Sequence, residues 1–199
     1  MTSTVDGSAT GGVARGVDRR GATAGTAATT QIGVAVDIPE PWGSHLTRRR
    51  AEAGDPLAAH IPAHVTLLGP TEIPVDAMPV VEAHLAAVAA AHLPFSLHLR
   101  GTGTFRPVTQ VVFVAVAAGI SECELLAEAI SAAPELRRET RFPYHPHVTV
   151  AQDVPPEALD RVYEDLADFS AIFEVEAFTL FSHSGQIRWQ PRRDFRLGG

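Results

Sequence analysis

The sequence predicts an α+β protein built from one structural unit used twice. Three observations predict it. From residue 31 onward, short β-branched runs alternate with helical segments. The order strand, helix, strand, helix, strand occurs twice, over about 31–109 and 110–199. Each copy carries the same short strand, HVTL at 64–67 and HVTV at 147–150.

Residues 1–30 are rich in Gly, Ala, Thr and Ser, with few larger aliphatics. Such a stretch buries too little to offset its ordering entropy, so a disordered tail is expected. Arg19 and Arg20 are followed by no apolar segment, which argues against a twin-arginine export signal. QIGVAVDI at 31–38 reads as a strand ended by Pro39 and Pro41. GSHLTRRRAEA at 43–53 reads as a helix with Arg48 to Arg50 on an exposed face, and Gly54-Asp55-Pro56 breaks it. AHVTLLG at 63–69 is a second strand. Residues 77–92 place Val81, Leu85 and Val88 at helical spacing. FSLHLRGTGTF at 95–105 alternates like a strand, and QVVFVAVAA at 110–118 is apolar enough for a buried one. SECELLAEAISAA at 121–133 is a helix with Ser121 and Glu124 as a capping box. HVTVAQ at 147–152 is a strand, and 155–169 a helix opened by proline. Residues 172–183 and 186–195 read as a closing hairpin around Ser184-Gly185. Across the repeat, IGVAV at 32–36 matches VFVAV at 112–116, and Phe95 matches Phe173.

The chain has 199 residues and suits one or at most two domains. Its formal charge is −7 and its 16 cations are all arginines. An acidic chain does not grip long nucleic acid by charge alone, though clustered arginines can hold one phosphate or a strand end. Cys123 is the only cysteine, which excludes an internal disulfide and a cysteine-rich zinc site and fits a cytoplasmic protein. No apolar run is long enough for a membrane helix, so no membrane partner is expected. No protein partner is inferred. A monomer is expected, because the duplication already supplies two halves.

Residues i and i+2 of a strand share a face. His64 and Thr66 therefore look one way while Val65 and Leu67 look the other. His147 and Thr149 repeat that arrangement. Two such strands related by a pseudo-two-fold place two imidazoles and two hydroxyls around one point. Histidine titrates near neutrality, so one ring takes a proton while the other gives one. Threonine hydroxyls donate to an anionic oxygen. That set suits in-line displacement at a phosphodiester, with charge carried by hydrogen-bond donors. A third His-x-Thr, His45-Leu46-Thr47, lies in a helical segment where i and i+2 diverge, and serves as the chance control.

PAHVTLLGP and YHPHVTVAQ together resemble the two signature motifs of the 2H phosphoesterase superfamily. The chain is most similar to its RNA 2′,3′-cyclic phosphodiesterase, or 2′-5′ RNA ligase, family, over about 31–199. The resemblance implies a bilobal fold in which two antiparallel-rich sheets flank a central cleft, with helices outside. It implies metal-independent chemistry on 2′,3′-cyclic phosphate termini of RNA or on small cyclic nucleotides, with no cofactor. It implies His64 and His147 as the acid–base pair and Thr66 and Thr149 as phosphate contacts. Two features depart from the family pattern. Ala151-Gln152-Asp153 stands where a basic residue often follows the second motif, and Pro70 is followed by Thr71 where Phe is common.

Tyr144, His145 and Arg141 are candidate substrate contacts at the approach to the second motif, with Arg137 and Arg138 nearby; packing beside the strand is the commoner role for Tyr144, and a solvent-facing place on the rim for His145. Phe105 and Trp189 suit a base-stacking wall, although core packing is the commoner role of such aromatics. Arg188, Arg192, Arg193 and Arg196 suit either a steering edge or a solvated one. Two other functions compete. One is a metal site built from His145, His147, His64 and Asp153, weakened by sparse carboxylates. The other is a nucleotide or RNA-end binding module without turnover.

Overall fold

A computed structural model describes residues 28–183 and 189–198. The expected disordered tail falls outside the described residues up to position 27. Thr29 and Thr30, read as the end of that tail, already pair with Ile73 and Pro74. Both are β-branched and extend the first strand without strain.

The elements run β1 (Thr29–Asp37), α1 (Trp42–Glu52), β2 (His64–Pro74), α2 (Met78–Ala91), β3 (Phe95–Thr104), β4 (Val111–Ala118) and α3 (Ile120–Ser131). Then come β5 (His147–Gln152), α4 (Pro156–Asp165), β6 (Ser170–Val175), β7 (Ala177–His183) and β8 (Trp189–Arg196). Two four-stranded sheets form, ordered β2-β1-β7-β8 and β5-β4-β3-β6, and every pairing is antiparallel. This is the α+β architecture expected, with one refinement. One strand of each half joins the other half's central strand: β3 pairs with β4, and β7 pairs with β1.

The exchange corrects two details of the repeat. The counterpart of β3 is β7, whereas Phe95 and Phe173 lie on adjacent strands of one sheet. The stretch 172–183 is two strands in two sheets, not one arm of a hairpin. Its inward positions are odd in β6, with Ala171 and Val175 buried, and even in β7, with Phe178 and Leu180 buried. The period-2 phase flips at Glu176, where the chain crosses between sheets. The closing pair β7–β8 does form, His183 opposite Trp189, while its turn lies outside the described residues.

Alternation builds the core. Val34, Val36, Val65, Val112, Val114, Val148 and Val150 are all at most 2% exposed. They form a continuous apolar cluster with Leu85 of α2, Leu126 and Ile130 of α3, and Leu159 of α4. Each such side chain stabilises the fold by roughly 1.5–3 kcal/mol on burial. Among the described residues no helix is long and apolar enough to cross a membrane.

Two local expectations fail for identifiable reasons. The α3 N-terminus is not a capping box. Gly119 is the N-cap, in the left-handed region at φ 89°, and its carbonyl accepts from the Cys123 amide at 3.1 Å. The backbone thus makes the turn before Ser121 is reached. Nor is the Arg48–Arg50 run wholly exposed. Arg50 is buried, and its Nε donates to Asp55 Oδ2 at 2.7 Å. Asp55 also accepts the Leu57 amide at 2.9 Å, so the pair anchors the turn that leads to β2.

Candidate active site

Each motif strand is held by the central strand of its own half. Ala35 pairs with Thr66 and Asp37 with His64; Phe113 pairs with Thr149 and Ala115 with His147. The structural offset between β1 and β4 is therefore two residues less than the sequence match suggested, a slip that keeps every face. Val65, Leu67, Val148 and Val150 fix the strands by burial, which leaves His64, Thr66, His147 and Thr149 half-buried on the other face. β2 packs against β5, and α1 of the first half also packs against β5. His64 lies near enough to His147 for a charge on one to lower the affinity of the other for a proton.

Both rings are pinned in the same way. His64 Nδ1 lies 2.7 Å from the Pro62 carbonyl oxygen, and His147 Nδ1 lies 2.7 Å from that of His145. A carbonyl only accepts, so each Nδ1 carries hydrogen and donates. The neutral rings thus present Nε2 as the working nitrogen. At His64 that nitrogen is 3.1 Å from Thr66 Oγ1. Burial is the main influence on both histidines and holds their proton affinity below the ordinary value of 6.5, against the opposing pull of the backbone carbonyls.

Neighbouring groups fix the approach to each motif. Thr47 donates to the Gly43 carbonyl at 2.8 Å and accepts the Ala63 amide at 2.9 Å, one residue before His64. The control motif at 45–47 therefore has a structural task. Tyr144 packs against the core, the commoner of its two expected roles, and its hydroxyl donates to the Thr66 carbonyl at 2.9 Å. It ties the chain entering β5 to the strand of the first motif. Pro146, one residue before His147, is buried.

The surroundings of the two histidines differ. His147 meets Phe105 edge-on at 5.0 Å and Phe113 at 5.2 Å, and His145 stacks on it at 6.2 Å. His145 itself is exposed, as its i, i+2 spacing from His147 allowed. His64 faces a pocket bordered by Asp37, Leu68, Phe181 and Trp189. Asp37 has Ala115 as its counterpart, so only His64 has a carboxylate across the ladder. Thr179 Oγ1 lies 2.9 Å from both Asp37 Oδ2 and Asp194 Oδ1. Its one hydrogen serves a single carboxylate at a time, and burial raises the pKa of Asp37.

Phe181 went unnoticed in the sequence. Gly33 opposes Phe181, and the Phe105 amide donates to the Val111 carbonyl, so the two rings hold matching places in the two halves. Only the exchanged register of β3 and β7 exposes that match. Phe105 lies against His147, while Trp189 borders the pocket that holds His64. Arg141 is exposed, with its guanidinium 5.1 Å from the Phe142 ring centre. Arg192 and Arg193 are bound to Glu82 of α2, at 2.6 and 3.2 Å, and Arg188 lies outside the described residues. Among the described residues no three His, Cys, Asp or Glu side chains converge to hold a metal ion, so the set His145, His147, His64 and Asp153 is not assembled.

Comparison with known proteins bears on this geometry. A profile described as the 2′-5′ RNA ligase superfamily matches residues 38–187. A protein of Bacillus cytotoxicus named "Putative phosphoesterase" is 28% identical over 150 residues, which is 72% of this chain and 84% of that one. The fold is similar to apo LigT of E. coli, at a TM-score of 0.64 and 23% identity, over 86% of this chain and 99% of that one. It is also similar to a Thermus thermophilus protein, at a TM-score of 0.61 and 24% identity, over 85% of this chain and 98% of that one.

Proposed function

Because the chain belongs to the 2′-5′ RNA ligase superfamily, we propose that it is a phosphoesterase that opens 2′,3′-cyclic phosphates, at RNA 3′ ends or in small cyclic nucleotides, without a metal. One histidine takes a proton from water through Nε2 as the water oxygen bonds to phosphorus. The other gives its Nε2 proton to the departing ribose oxygen as that P–O bond breaks. Thr66 and Thr149 donate to the non-bridging oxygens, where negative charge grows in the transition state. The product is a phosphomonoester, and the rings end with their protonation states exchanged. The same pair run in reverse, with a ribose hydroxyl in place of water, forms a phosphodiester.

One observation carries this reading: both Nδ1 atoms donate to the carbonyl two residues upstream at 2.7 Å. Each ring is thereby held in one tautomer with Nε2 available, as a general acid–base pair requires. Depressed proton affinity favours neutral rings in the empty site, and an anionic phosphate restores the proton to whichever ring acts as acid.

The test is turnover of a 2′,3′-cyclic mononucleotide, and of a short RNA ending in a 2′,3′-cyclic phosphate, with EDTA present. Wild type is expected to open the ring in at least one substrate, and His64→Ala and His147→Ala to lose turnover while remaining folded. Wild-type rates in both variants overturn the assignment. Activity abolished by EDTA and restored by a metal overturns the metal-free mechanism.

A further inference from the structure

Two glycines lie side by side on the floor of the site, just beyond Thr66. Gly33 of β1 opposes the irregular turn of β2 at Gly69-Pro70, where the ladder shifts register between Ile32–Thr71 and Val34–Leu68. Both glycines border the pocket that holds His64 and Thr66. Each makes room for a flat side chain. A methyl carbon placed on Gly33 falls 3.0 Å from the Trp189 ring. A methyl carbon placed on Gly69 falls 2.8 Å from both terminal nitrogens of Arg138. The tip of the Arg138 side chain therefore reaches over Gly69 with Nη1 and Nη2 leading, and its Nη1 donates to the Pro70 carbonyl at 3.4 Å. Arg138 comes from the other half of the molecule, on the segment between α3 and β5. It is exposed, and no carboxylate pairs with it among the described residues. By contrast Arg49, Arg50, Arg106, Arg192 and Arg193 are each tied to an Asp or Glu.

A planar cation and an indole on neighbouring glycines suit the two parts of a nucleotide, its phosphate and its base. Their place is about 10 Å along the strand from Thr66, three residues at roughly 3.3 Å each. That is too far for the phosphate Thr66 holds and close enough for one adjoining it. Resting on the reading above, we propose that Arg138 binds a second phosphate of the substrate, so that the enzyme prefers a single-stranded ribonucleotide end carrying a further phosphodiester over a cyclic mononucleotide. Arg138 is a specificity residue under this proposal; it takes no part in bond making or breaking.

The experiment compares a 2′,3′-cyclic mononucleotide with a dinucleotide ending in a 2′,3′-cyclic phosphate, using wild type, Arg138→Ala, Arg138→Lys and Gly69→Ala. Loss of a charge-assisted contact is expected to raise KM for the dinucleotide about tenfold or more. KM for the mononucleotide should stay within about twofold, and kcat should hold for both. Gly69→Ala should match Arg138→Ala, because its new methyl displaces the tip of a flexible side chain while the fold stays intact. Arg138→Lys should recover part of the loss. The slope of log KM against log salt for the dinucleotide should shrink by about 0.7, the share of one phosphate on a single strand. Equal losses on both substrates, or no loss on either, overturn the proposal. If wild type opens neither substrate, the phosphoesterase reading fails instead. The proposal is then decided by calorimetric binding of the dinucleotide 3′-phosphate against the mononucleotide 3′-phosphate: a preference lost in Arg138→Ala upholds it, and equal affinities overturn it.

Discussion

A buried imidazole costs the fold stability once it is protonated, so at His64 and His147 stability depends on pH. Both have folded-state proton affinities below the ordinary value of 6.5, with burial the main cause. Between the folded and ordinary values the unfolded chain binds more protons than the folded one. Stability is therefore full above 6.5 and is lost as pH falls through the folded values. The urea midpoint of wild type is expected to drop between pH 7.5 and pH 5.5 by more than that of His64→Gln/His147→Gln. An identical drop in the two proteins refutes this source of acid sensitivity. The threonines act at the same scale. Thr66→Val or Thr149→Val removes one donor to the phosphate and is expected to lower kcat by about 10²–10³, the usual effect of losing an oxyanion contact. Unchanged kcat in either variant removes that threonine from the mechanism. Arg50→Ala leaves Asp55 buried without its cation. Stability should fall by about 3–5 kcal/mol, which a denaturant titration reads directly.

The elements show why some of the site was legible in the sequence and some was not. His64, Thr66, His147 and Thr149 were legible because strand alternation is local: apolar residues between them fix which face is free. The same rule, carried through residue 176, reveals the break between β6 and β7 in the odd-to-even change of buried positions. Arg50 was not legible, since its burial depends on Asp55, placed by a turn that composition marks only as a break. Phe181 and Phe105 become a pair only once β3 and β7 exchange sheets, a long-range fact with no local signal. Tyr144 shows the consequence of such distance. Its hydroxyl joins the approach to β5 to the Thr66 carbonyl of β2, so Tyr144→Phe removes one bond between the halves. The expected cost is about 1 kcal/mol of stability together with reduced turnover. A variant with wild-type rate and stability shows that Tyr144 does not align the strands.

At the scale of the molecule, strand exchange makes the halves depend on each other. Leu97 and Leu99 of β3 are fully buried in the second half's sheet, and Phe178 and Leu180 of β7 in the first half's. Four such side chains contribute about 6–12 kcal/mol, comparable to the roughly 5–15 kcal/mol that stabilises a whole domain. Neither half is expected to fold alone, and the two motif strands, β2 and β5, pack together only in the joined chain. On the proposed mechanism, His64 and His147, one from each half, work as a single unit. Groups that act as a unit lose their joint contribution when either is removed. The most direct test is kcat/KM for cyclic phosphate opening by wild type, His64→Ala, His147→Ala and the double variant. Each single variant is expected to fall nearly as far as the double. Two single losses that multiply in the double variant, or one single variant that keeps the wild-type rate, contradict it.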